Sequence, residues 1–260
     1  MTAQPQQNLG TLSPFPPIRK PTRMTYEFNL HGHIAAMDAA FSVAGFSVEM
    51  DNDVAKYQRT IAGIKDYSIT SPLDHRLVDL TDDFLWVRVF DQRGKLVAIE
   101  AGRVIDAPKK KGGLNAVIER NVFGRVLPVM SRLPSTNLCG RLGYLGGAYV
   151  VEKLRGAGIM SLAVKMTTAH LYRCFGIDQG FGFVRLPHIG QAMAPGKYGF
   201  TSGTLVDRIY LHGSAAPESL WMAWTDPGVL EERYSREPAY SLEVKSRRKS
   251  QVQSTRQSRG

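Results

Sequence analysis

A chain of 260 residues with 43% hydrophobic content is long enough for one generous domain or two small ones. It holds no run of about 18 apolar residues, which excludes a membrane span, and its Gln-, Asn-, Pro- and Ser-rich start lacks the apolar core of a signal peptide, so a cytoplasmic location is expected. The formal net charge of +10 is gathered at the ends: Arg19, Lys20 and Arg23 fall in residues 1–24, and Lys245, Arg247, Arg248, Lys249, Arg256 and Arg259 in residues 244–260, with no acid in either.

Neither end has an apolar pattern that could offset the entropy of ordering it, so residues 1–24 and 244–260 are expected to be disordered around one folded domain, 25–243. Such a tail can touch RNA, an anionic membrane or an acidic carrier protein. No aromatic residue is interleaved with its arginines for base stacking, so nucleic-acid contact is expected through the tail or not at all. Cys139 and Cys174 read as reduced thiols.

In chain order, Thr25–Asn29 alternates as a first strand, and Ile34, Met37, Phe41 and Val43 mark a helix over His33–Ala44. His31 and His33 form an H-x-H pair, but no further ligand stands at a recognisable spacing; a turn or helix start is expected there, and no metal. Asp51-Asn52-Asp53 caps a second helix at about 53–62, and a looser segment runs to 82 with its acids in turns and caps. Phe84–Phe90 and Leu96–Ile105 form a hairpin about Asp91-Gln92-Arg93-Gly94-Lys95. Glu100 lies in its second strand, facing either solvent and an ion pair, the favoured expectation, or a site. Residues 106–142 form an insertion. After Lys109-Lys110-Lys111 it carries an apolar helical stripe from Leu114 to Met130, either covering an edge of the core or forming a lid over acceptor or acyl chain.

Residues 143–151 read as a buried strand ending in Val150-Val151. Arg155-Gly156-Ala157-Gly158 then makes a tight turn, and Ile159, Leu162, Ala163, Met166 and Ala169 recur at helical spacing up to a capping Gly176. A strand from Gln179 to Val184 follows, then Pro187-His188 opening a helical piece that closes on Lys197–Phe200. Strands at 205–211 and 220–224 come next, and 229–243 has no assigned element.

The first amides of a helix lack internal partners and carry partial positive charge, so a glycine turn at such an end is either a bare connection or an anion site. The turn lacks the Gly-Lys-Ser/Thr of a phosphate loop and the third glycine of a dinucleotide fingerprint. Val150-x-x-x-x-Arg155-Gly156-x-Gly158-Ile159 instead resembles the acetyl-CoA motif of the GNAT superfamily of N-acetyltransferases, R/Q-x-x-G-x-G/A. Arg155 and Gly158 match its first two fixed places, while Met160 stands where a small residue is usual. Tyr198-Gly199-Phe200 also resembles a family signature.

The resemblance implies an α/β fold with a mixed, mostly antiparallel central sheet, flanking helices and a splayed cofactor strand. It implies an enzyme, an N-acyltransferase using acetyl-CoA or a longer acyl-CoA as co-substrate and acting on a small-molecule amine or amino-acid acceptor. In that reading the amides of Ala157, Gly158, Ile159 and Met160 hold the pyrophosphate, with Arg155 and Gly156 at the mouth. Val150 and Val151 bond the pantetheine arm, and one of their N–H groups serves the oxyanion. Candidates for proton transfer are His188, Tyr144, Tyr149, Tyr198 and Glu100, with Glu152 behind them, since Pro195 stands where many members have a tyrosine acid and His188 where many have an asparagine. Each also reads as an ordinary half-buried residue. A branch similar to the N-acyl amino acid and acyl-homoserine-lactone synthases would draw its acyl group from an acidic acyl carrier protein. The alternative from another class is a catalytically silent binding protein with nucleic-acid-contacting tails.

Overall fold

The Asp91–Lys95 turn fixes the first pairing: the Asp91 carboxylate accepts the amides of Arg93 and Lys95, each at 3.0 Å, and Gly94 takes φ +71°. In a computed structural model, which describes residues 23–65, 67, 69–80, 83–109, 112–118, 138–192, 197–209 and 218–242, this turn joins β2 (Phe84–Asp91) to β3 (Leu96–Ala107). The other strands are β1 (Phe46–Asp51), β4 (Gly140–Val150), β5 (Gln179–Arg185), β6 (Ser202–Ile209) and β7 (Glu218–Trp224). They form one sheet in the order β1-β2-β3-β4-β5-β7-β6, antiparallel throughout except for the parallel pair β4–β5. This is the mixed, mostly antiparallel sheet expected from the sequence.

Side chains alternate across the sheet and divide the core in two. Leu85, Val87 and Val89 join the cluster under α1 (Arg23–Val43) and α3 (Ile159–Phe175), which includes Met37, Phe41, Leu162 and Met166. Phe84 and Trp86 join the opposite cluster with Tyr57 and Ile61 of α2 (Val54–Ala62) and Leu73 of the short 3-10 turn Ser71–Leu73. Asp53 caps α2, accepting the Lys56 amide at 2.8 Å, as its sequence predicts. Gly176 closes α3 at φ +64°. The short α4 (Ile189–Ala192) and α5 (Val229–Ser235) complete the described helices.

Several expectations are corrected. Residues 25–29 belong to a helix, not a strand: α1 is continuous from Arg23, so the described order also begins before residue 25. Buried Leu30, His33, Met37, Ala40 and Phe41 recur at helical spacing, and docking on α3 overrides the short alternation that suggested a strand. The edge strand β1 was missed because its residues beyond Phe46 are mostly exposed or half-buried, so pairing with β2 decides it. Residues 229–235 are helical because Leu230 and Tyr234 bury against neighbouring elements, including α1. Glu100 does not face solvent. It is 1% exposed on a central strand with both faces covered, and it makes no ion pair among the described residues.

In the insertion, Gly113–Ala116 is a 3-10 turn whose Leu114 amide donates to Leu138 O at 2.7 Å. The rest of the predicted stripe, to Met130, lies outside the described residues with all of 119–137, as do 1–22, 243–260 and Pro195. His33 is held inside α1: Nδ1 lies 2.7 Å from Tyr240 Oη and Nε2 2.9 Å from Arg236 O. Among the described residues no group of three His, Cys, Asp or Glu side chains could hold a metal, and no helix is long and apolar enough to cross a membrane. Cys139 and Cys174 are free thiols.

Phe41→Ala is expected to lower the unfolding free energy by about 3–5 kcal/mol in a urea titration. Val43→Ala, two residues on but 91% exposed, should change it by less than about 0.5 kcal/mol.

Candidate active site

The parallel pairing of β4 with β5 lasts four residues, from Leu142–Gln179 to Leu145–Gly182. Beyond that point β5 stays with β7 through Phe183, Val184 and Arg185, while β4 runs on to Val150 beside β3. The two strands have parted. A bulge marks the divergence: Ile99 faces Tyr149 and Ala101 faces Gly146, so β4 takes three steps where β3 takes two, and Gly147 sits at φ +67°. Such an extra residue bends and twists its strand.

The parting leaves strand edge unpaired. The Val151 amide donates to Val97 O at 2.9 Å. Alternation of the antiparallel ladder therefore turns the Val150 N–H and C=O, opposite Ala98, away from β3 and toward the gap. Neither has a protein partner among the described residues. Of the two valines expected to serve a ligand, only Val150 has its amide free.

After Val150 the chain makes a 3-10 turn at Glu152–Leu154, then passes Gly156 at φ +83° and Gly158 at φ +84° into α3. The Ala157 amide is taken by Leu154 O at 3.3 Å, which corrects its expected role as an anion donor. The amides of Gly158, Ile159 and Met160 have no protein acceptor among the described residues; the helical ladder begins with Leu162 N on Gly158 O at 3.0 Å. Arg155 is exposed beside them, and Met160 packs toward the core instead of crowding the turn. Three amides without acceptors at the positive end of a 17-residue helix, with an arginine alongside, have the chemistry that attracts an anion.

Tyrosines crowd the point where the strands part. A Cβ on Gly146 would lie 2.5 Å from Tyr144 Oη, and one on Gly147 would lie 2.5 Å from Tyr57 Oη. The two glycines thus make room for two hydroxyls at the bulge. Tyr149 packs edge-on against Tyr67, with ring centroids 5.3 Å apart, and Tyr144 against Phe181 at 5.5 Å. Glu100 lies on β3 opposite the bulge, its Oε2 buried without a partner among the described residues. Burial pushes its carboxyl well above the ordinary carboxylate range. Burial also pushes the Tyr144 hydroxyl up, with Glu100 adding to the rise and Arg103 opposing it, so Tyr144 remains a proton donor at neutral pH. Tyr198 is half-buried and its hydroxyl is likewise raised, by burial and then by Glu100. His188 is exposed at the end of the 3-10 turn that follows β5. Glu152 is exposed in the turn after β4.

The structure therefore gathers Tyr144, Tyr149 and Glu100 about the parting strands, Val150 on the open edge, and Arg155 to Met160 at the helix start. Tyr57, Tyr67 and Arg103 also belong to this neighbourhood and were missed. Tyr57 and Tyr67 arrive from a different part of the chain with no local signal, whereas an arginine three residues after Glu100 in an apolar strand could have been noticed.

No protein-family model matches the chain, and no curated protein matches it. Among solved structures it is similar to Arabidopsis thaliana NAA60 in complex with acetyl-CoA (14% identity, 69% of this chain and 97% of that one, TM-score 0.44). It is also similar to the ribosomal-protein-S18-alanine N-acetyltransferase from Escherichia coli (11% identity, 68% and 92%, TM-score 0.41) and to spermidine N-acetyltransferase from Vibrio cholerae (6% identity, 73% and 98%, TM-score 0.44). At such scores and identities the functional reading rests on the geometry of this chain.

Because the Glu100 carboxyl is held protonated in the fold, native stability should fall as pH rises from the ordinary carboxylate range, where the unfolded chain ionises, toward the raised native value. Urea midpoints measured between about pH 4 and pH 8 should show Glu100→Gln gaining on the parent chain as pH increases. Parallel curves would contradict that burial.

Proposed function

We propose that the chain is an N-acyltransferase that moves an acetyl or longer acyl group from acyl-CoA to an amine by direct attack on the thioester. The observation that carries this reading is the continuity of two unsatisfied surfaces. The open edge of β4 at Val150 leads, through one turn, to the free amides of Gly158, Ile159 and Met160. A donor with an amide-bearing arm and a pyrophosphate matches both: the arm pairs with Val150 as a surrogate strand, and the phosphates accept from the helix start and Arg155.

With phosphates at the turn and the arm running back along β4, the thioester arrives where β4 and β5 part, beside the Tyr144 hydroxyl. The amine nitrogen attacks the carbonyl carbon, the C–S bond breaks, and the departing thiolate takes the Tyr144 proton. The proton released by the acylated nitrogen restores the phenol. Burial keeps the Tyr144 phenol protonated and makes it a weaker acid, but the same dry surroundings disfavour a bare thiolate and raise its basicity, which drives the transfer. Holding donor and acceptor in one cleft supplies much of the remaining acceleration.

Isothermal titration of the purified chain with acetyl-CoA should give saturable binding, weakened about tenfold or more by Arg155→Glu, which replaces an attractive charge with a repulsive one beside the phosphates. Tyr144→Phe should lower kcat on the order of 10²-fold and leave acetyl-CoA affinity nearly unchanged. Absence of binding to both acetyl-CoA and a long-chain acyl-CoA would overturn the proposal.

A further inference from the structure

Most arginines with described partners are answered by acids. Arg76 pairs with Asp74, Arg88 with Glu49 and Asp51, Arg141 with Asp83, and Arg236 with Glu232. Arg103 differs. It is 5% exposed on central strand β3, its Nη1 donates to the backbone oxygen of Asp79 at 3.3 Å, and its Nε is buried with no acceptor among the described residues. No carboxylate forms an ion pair with it among the described residues. Burial draws its pKa down to about 10, which leaves it charged at neutral pH. Glu100 forms no ion pair with it, since burial favours the protonated form of that carboxyl; the Asp79 carboxylate favours the charged guanidinium but does not close to ion-pair distance.

Its place in the sheet gives this charge a use. Arg103 is the register partner of Tyr144, one residue before Leu145, the last β4 residue paired with β5. Tyr144 in turn lays its hydroxyl over Gly146, where the strands part, within electrostatic reach of Arg103. The phosphates of the donor are not the missing anion, because Leu145 and Val150 are five residues apart on β4, about 17 Å, and the phosphate turn begins only after Val150. Of the two reactants, it is the acceptor that can bring an anion to Arg103.

We propose that Arg103 is a specificity residue that binds a carboxylate of the acceptor, so that the substrate class is amines bearing a carboxylate, amino acids and related amino-carboxylates, and not polyamines or neutral amines. The inference rests on the acyltransferase reading above and adds to it the chemical identity of the acceptor. A guanidinium buried with an unused N–H presents a forked donor set to a carboxylate, which a primary amide of the same shape cannot satisfy.

The test measures CoA release from acetyl-CoA by the full chain with a panel of L-amino acids, their primary amides, and spermidine. One or more acids should be acylated, with kcat/KM at least about tenfold above the matching amide. Arg103→Gln should lower kcat/KM for the acid on the order of 10²-fold, chiefly through KM, with the amide little changed and acetyl-CoA affinity retained; Arg103→Lys should recover part of the loss. Amides or spermidine used as well as the acids, or acetyl-CoA binding without transfer to any amino acid of the panel, would overturn the carboxylate assignment and leave donor binding standing. Failure to bind acyl-CoA at all would remove both readings. Should Arg103→Gln not fold, the acid-to-amide ratio of the parent chain decides alone.

Discussion

The extra residue in β4 opposite Glu100 is the constraint from which the site follows. A regular β4 would keep its register with β3 and could continue alongside β5, closing every backbone group into the sheet. With three steps taken against two, and Gly147 in the left-handed region, the strand swings away after Leu145. The swing frees the Val150 amide and carbonyl and delivers the chain to the glycine turn before α3. It also explains why Gly146 and Gly147 are glycines: the hydroxyls of Tyr144 and Tyr57 occupy the space their side chains would need.

The helix that receives this turn is held from two sides. Buried Ile159, Leu162, Ala163 and Met166 fix α3 to the sheet, and α1 packs across it. The segment after α5 fastens the arrangement. Arg236 O and Tyr240 Oη bind the two ring nitrogens of His33, Lys165 Nζ lies 5.8 Å from the centre of the Tyr240 ring, and Leu242 reaches Gly158, where a Cβ would stand 3.3 Å from it. His33, one of an H-x-H pair in the sequence, thus joins α1 to the segment after α5, and the first free amide before α3 has an apolar neighbour on one side. Burial lowers the pKa of His33, which favours the neutral ring that can donate to a carbonyl with one nitrogen and accept from a phenol with the other.

Local chemistry was legible where it was self-sufficient. The Asp91–Lys95 hairpin, the Asp53 cap, the strand before Val150, the glycine turn and the Gly176 cap each carry their own turn or capping residues within a few positions. The elements that were misread or left out have no such signature. The start of α1 alternates briefly like a strand, β1 buries little beyond Phe46, and α5 is seven residues long; each is decided by what it docks against.

The same division holds for the site. The sequence by itself determined that a strand, a glycine turn and a helix start follow one another with Arg155 beside them, because backbone freedom and helix polarity are local properties. Only the tertiary structure decided that β5 parts from β4, that Val150 and not Val151 keeps its amide free, that Glu100 is buried, and that Arg103 lies next to Tyr144 without an ion pair among the described residues. Those facts depend on ladder register and on which faces of a central strand are covered, and residues as far apart in the chain as Tyr57 and Gly147 fix them by contact across the sheet.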